Sequence, residues 1–91
     1  MNKTRRNEIQ KQANALAEIR TQLEDIKSEI ENVRDEEDDA LNNLPEGIQM
    51  SERGDAMQEY IDDLDDQISA LDNEISNIDD IIDMLNEIVE R

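Results

Sequence analysis

From Ile9 onward, apolar residues recur at alternating steps of three and four, the spacing that keeps one face of a helix against a neighbour. In heptad notation, with a and d as the seam positions, the first run places Ile9, Leu16, Leu23, Ile30, Glu37 and Leu44 at a. Its d positions hold Gln12, Ile19, Ile26, Val33 and Ala40. The second run is stricter, with Ile61, Ile68, Ile75, Ile82 and Val89 at a and Met57, Leu64, Leu71, Ile78 and Leu85 at d. Heptads sustained this long predict two coiled-coil helices and an all-α fold. Glu37 and Gln12 read as polar interruptions that set the register rather than as ligands.

One break separates the runs. Pro45 disfavours helical backbone at Leu44 and cannot itself continue a helix, and Gly47 follows two positions later. Ser51 is a good N-cap for what comes next, with Glu52 and Asp55 favourable beside the positive end of the helix dipole. The pattern therefore predicts one domain over 1–91, with a first helix over about 4–43, a turn over about 44–50 and a second helix over about 51–90. At about 1.5 Å per residue each helix is about 60 Å long.

A short connection makes the two helices antiparallel neighbours. The register centred on Gly47 stacks Leu16 on Ile78, Ile19 on Ile75, Leu23 on Leu71, Ile26 on Ile68, Ile30 on Leu64 and Val33 on Ile61. The flanking charges agree with it. Arg20, Lys27 and Arg34 fall on the e edge of the first helix, facing Asp65, Asp72 and Asp79 on the e edge of the second. On the g edge Glu29 meets Gln67 and Gln22 meets Glu74, so no like charges face each other. Such pairs contribute little stability, but they decide orientation.

Some apolar side chains fall outside this seam: Ala13, Ala15, Ala17, Ile81, Met84 and Ile88 near the open end, Leu41 and Tyr60 near the loop. They read either as a widened stripe inside the hairpin or as a second packing surface. The core of a lone two-helix hairpin is thin, so the second reading is the expectation: Ala13, Ala15, Ala17, Ile81, Met84 and Ile88 form a self-association patch, and the hairpin dimerises into a four-helix bundle.

Composition changes the picture in two ways. Hydrophobic residues make up 35% of the 91 and Tyr60 is the sole aromatic, which excludes a globular core of ordinary thickness. The formal charge of −17 is uneven: residues 1–45 carry 7 basic and 11 acidic side chains, residues 46–91 only 2 and 15. Phosphate backbones and anionic lipid both need cationic contacts, so direct nucleic-acid or membrane binding is not expected. Met1-Asn2-Lys3-Thr4-Arg5-Arg6 is basic but leads into no apolar stretch of signal-peptide type, and no apolar run approaches spanning length. The expectation is a soluble, cytoplasmic protein.

Without histidine or cysteine the usual nucleophile–base pairs and zinc sites are missing, and no glycine-rich phosphate loop is present. Carboxylates do acid/base work only when a desolvating pocket separates their pKa values, and a two-helix hairpin has no such pocket. No catalytic, cofactor-binding or metal-binding residues are expected. Asp35-Glu36-Glu37-Asp38-Asp39 lacks the glycine-bearing irregular backbone of a calcium loop and reads as a solvated acidic face.

The turn Asn43-Leu44-Pro45-Glu46, then Ser51-Glu52-Arg53, followed by a long acidic helix of Leu-x-x-x-Ile repeats, resembles small acidic hairpin proteins of phages and prophages of Gram-positive bacteria. The resemblance runs over most of the chain, with its specific part in the turn. It implies an accessory protein of a mobile element, acting in the host cytoplasm, and brings no activity or site residues.

The function expected is therefore binding to a protein with a basic surface. In its sharpest form the chain is an inhibitor that mimics nucleic acid, with Asp62, Asp63, Asp65, Asp66, Asp72, Asp79, Asp80 and Asp83 as the partner-binding face. The alternative is a structural, scaffold or chaperone-like assembly component.

Overall fold

The computed structural model describes residues 1–91. Three helices follow in order, α1 over Lys3–Asn42, α2 over Glu46–Gln49 and α3 over Glu52–Glu90. The long helices α1 and α3 pack side by side in a rod of 69 × 15 × 13 Å. Ion pairs join Arg20 to Asp79, Lys27 to Asp72 and Arg34 to Asp65, so α1 and α3 run antiparallel.

Local chemistry sets the ends of the helices. Asn2 caps α1, its side-chain oxygen accepting the Arg5 N–H at 2.9 Å. At the other end the Asn43 N–H donates to the Asp39 carbonyl, and Pro45 stops the ladder. The connection differs from the plain turn expected over 44–50. Pro45 leads into a single helical turn, α2, whose start is closed by Ile48 and Gln49 N–H groups donating to the Pro45 carbonyl. Gln49 then reaches back, its Nε2 donating to the carbonyls of Asn42 at 3.2 Å and Leu44 at 2.8 Å. Those two oxygens are left without helical donors when α1 ends, and Gln49 supplies the missing partner.

Ser51 stands at the N-cap position of α3 with extended backbone, as expected, but its side chain does not cap the helix. The hydroxyl donates instead to the carbonyl of Ile48, tying α3 to the end of α2. Three residues on, Gly54 is buried where the backbone of Gln49 crosses α3, so closely that a methyl group would overlap the Gln49 carbonyl.

Between the long helices, burial is uneven. Ile61, Ile68 and Ile75 at a positions of α3 are only 5–7% exposed, while Ile82 and Val89, at a nearer the open end, are partly covered. The a column of α1 (Ile9, Leu16, Leu23, Ile30) is partly covered, as are Leu64, Leu71, Ile78 and Leu85 at d of α3. Ile30 and Leu64 border one groove, as the register centred on Gly47 requires.

The d column of α1 departs from that register. Ile19, Ile26 and Val33 are 48%, 50% and 55% exposed, not stacked into the seam on Ile75, Ile68 and Ile61. The e column takes their place: Ala13 and Leu41 are buried, and Arg20, Lys27 and Arg34 between them are partly covered. Two effects turn α1 this way. Each of the three cations reaches an α3 carboxylate across the seam. Arg34 shows the second, lying beside Ile61 where its aliphatic stem can cover the isoleucine while its guanidinium reaches Asp65. Gln12, in the same outward d column, is exposed and donates to Glu8 rather than interrupting the seam.

Candidate interaction surfaces

The rotation of α1 gives the rod two unlike edges. On the charged edge Arg20 Nε lies 2.9 Å from Asp79, Lys27 Nζ 2.6 Å from Asp72 and Arg34 Nη1 2.9 Å from Asp65. Acids of α1 itself add to each: Glu24 beside Arg20 and Lys27, Glu31 beside Lys27, Asp35 beside Arg34. The hydrogen bonds to Asp79 and to Asp72 raise the pKa of Arg20 and of Lys27, and those to Asp65 and Asp35 raise that of Arg34, each against a smaller effect of burial. These contacts close the edge with ion pairs, each of the three cations held by at least two carboxylates.

The opposite edge is open and apolar. Ile26, Ile30 and Val33 of α1 and Leu64 of α3 line a groove along it, with Glu29 as the one charged residue in the wall. On the helical wheel Ile19 continues the α1 wall of this groove, and the d column of α3 forms the floor beyond Leu64. Ile81 and Met84, 50% and 51% exposed, stand on the same side of α3 toward the open end.

The outer surface of α3 is acidic. Asp62, Asp66, Asp80 and Asp83 occupy its b and f positions and are exposed, with Gln58 donating to Asp62. Asp63, also exposed, lies at the margin of this face. Asp65, Asp72 and Asp79 are different in kind, since each already holds a cation of α1. The eight-residue acidic face read from the sequence thus divides into an outward group and an ion-paired row.

The self-association patch divides too. Ala13 is 1% exposed and belongs to the hairpin seam, so it is not on a free surface. Ala15, Ala17, Ile81 and Met84 are exposed, and Ile88 is half-buried. Of the two residues near the loop, Leu41 is buried in the seam and Tyr60 is exposed. Sequence reasoning missed Ile19, Ile26 and Val33 as surface residues because their spacing is that of a seam. A signal was present: Ala13 and Leu41 bracket Arg20, Lys27 and Arg34 in a column whose ends are apolar.

Near the loop the acidic run contributes Asp35 and Asp38 to a shallow polar depression shared with Arg34, Gln58, Ile61 and Asp65. No group of three or more acidic side chains converges tightly enough to hold a metal ion. No helix is long and apolar enough to cross a membrane. The chain matches no protein-family profile, no curated protein and no solved structure.

Proposed function

We propose that the chain is a non-enzymatic protein-binding module: an acidic coiled-coil hairpin that dimerises into a four-helix bundle and offers its acidic side to a partner with a basic surface. The observation that carries this reading is the separation of surfaces. The apolar groove of Ile26, Ile30, Val33 and Leu64 lies on one side, and the exposed carboxylates of Asp62, Asp66, Asp80 and Asp83 lie away from it. An apolar edge can then be covered without burying those acids, which would cost far more than the contact returns.

Together with the resemblance of the turn to phage and prophage hairpins, this makes the chain a mobile-element accessory factor of the bacterial cytoplasm. As an inhibitor it would act by nucleic-acid mimicry. Asp62 to Asp83 spread negative charge over about 30 Å of one rigid helix, enough to occupy a basic cleft. A second reading, as a scaffold or chaperone-like assembly component, is favoured by the length of the exposed apolar edge, which suits packing against other helices.

Capture of partners from the native host, eluted in parallel with duplex DNA and with salt, tests the choice. A nucleic-acid-binding partner displaced by duplex DNA supports mimicry. A virion structural protein that neither treatment releases supports assembly.

A further inference from the structure

We infer that the apolar groove is filled by a second copy of this chain, the two α1 helices crossing antiparallel about a two-fold axis at Ile26. This rests on the reading of the open edge as a protein-binding surface, and it names the occupant and the geometry. It also moves the interface from the open end, where the sequence pattern put it, to the middle of the rod.

Three observations lead there. The first is symmetry within the exposed column of α1, which reads Gln12, Ile19, Ile26, Val33, Ala40. It has large apolar residues in the middle, a small or polar one at each end, and Ile26 at its centre. An antiparallel copy sets Ile26 on Ile26, Ile19 against Val33 and Gln12 against Ala40, so the column matches itself, as a two-fold interface demands.

Charge is the second. Along the g positions of α1, the same axis puts Gln22 of one copy opposite Glu29 of the other, and Ala15 opposite Glu36. No carboxylate faces another, although the chain carries −17. On the α3 side of the groove the c and g positions hold Tyr60, Gln67, Ala70, Asn77, Ile81, Met84 and Ile88, with Asp63 and Glu74 the only acids among them. A helical partner can thus approach this side with little repulsion, whereas the b and f positions would repel a second copy.

Area is the third. A compact monomer of 10.5 kDa exposes about 5,400 Å². This chain exposes 6658 Å², with only 6 of its 91 residues buried. The excess of about 1,200 Å² exceeds the ~800 Å² that each partner buries in a standard specific interface. A second rod lying along the groove uses surface that the single hairpin leaves uncovered.

The test uses the full chain and three variants: Ile26→Glu, Ile26→Cys and Ile81→Cys. Ile26 and Ile81 are each half-exposed in the single hairpin, so none of these changes disturbs the seam. Sedimentation should show a wild-type dimer, with association weakened at least about 100-fold in Ile26→Glu. Under mild oxidation Ile26→Cys should form a disulfide-linked dimer rapidly and Ile81→Cys slowly. A dimer that crosslinks through position 81 and not through position 26 overturns the axis. If the wild type is monomeric and the thiol of the Ile26→Cys variant labels freely, the second copy is overturned and the open groove stands for another partner. If the wild type is monomeric and that thiol is protected, the hairpin covers its own stripe, and the protein-binding reading of this edge falls with it.

Discussion

Lys27 Nζ lies 2.6 Å from Asp72 Oδ1 across the helix pair, and the lysine side chain is only 15% exposed. A cation therefore sits where an apolar seam residue would, its stem packed and its head held by Asp72, with Glu24 and Glu31 beside it. The hydrogen bond to Asp72 keeps the ammonium group charged to higher pH than an ordinary lysine.

That contact has a defined pH signature. A pKa raised in the folded chain means that the stabilisation is complete below the unfolded lysine value and is lost as pH climbs through the folded one. Lys27→Gln should melt slightly below wild type at neutral pH, and the gap should close as pH climbs above the ordinary lysine value of about 10.4. Arg20→Gln should keep its gap over the same range, because a guanidinium does not deprotonate there. Circular dichroism melts across alkaline pH read both, and a constant gap for Lys27→Gln would remove the ion pair from the account.

The two glycines should respond in opposite directions. At Gly54 a methyl group meets the Gln49 backbone, so Gly54→Ala should lose about 1–3 kcal/mol despite alanine's better helix propensity. At Gly47 nothing lies within 4 Å, and the backbone is one that alanine adopts, so Gly47→Ala should be neutral or gain up to about 1 kcal/mol. Chemical denaturation of the pair tests the close approach of α2 to α3 directly.

Gln49 holds two carbonyls at the end of α1. Gln49→Ala should cost about 1–2 kcal/mol and loosen the tip before the rest of the rod. Hydrogen exchange should show faster amides around residues 43–51, while those around Ile68 stay protected. Uniform loosening of the rod would show that the tip and the seam open together.

Core and surface isoleucines should separate cleanly. Ile75 is 5% exposed, and Ile75→Ala should lose about 2–4 kcal/mol, enough to remove most of the helicity of so thin a fold. Ile81→Ala, at a half-exposed site, should stay within about 0.5 kcal/mol of wild type. Equal losses would place Ile81 in a packed environment.

Salt should stabilise. Three ion pairs bridge α1 and α3, against a surplus of 17 negative charges spread over the rod. Raising ionic strength from about 0.01 M to 0.15 M shortens the screening length from about 30 Å to about 8 Å, which relieves long-range repulsion more than it weakens contacts at 2.6–2.9 Å. The melting temperature should rise, and a fall would show that the pairs outweigh the repulsion.

By itself the sequence determined two long helices, the break at Pro45, their antiparallel direction and the charged edge. Each of these follows from short-range spacing or from which residues must lie side by side once the chain turns back. The packing of Gln49 and Gly54 at the tip was not legible, because it depends on where a single helical turn settles against a helix that begins afterwards. Nor was the phase of α1 legible. Positions d and e are consecutive residues about 100° apart on the wheel, so a heptad pattern establishes the period of a stripe but not which flank of it meets the partner. Tertiary structure decided that. Two helices share one line of contact, and the salt-bridged stems of Arg20, Lys27 and Arg34, bracketed by Ala13 and Leu41, took it. Ile19, Ile26 and Val33 were turned outward as the open edge of the rod.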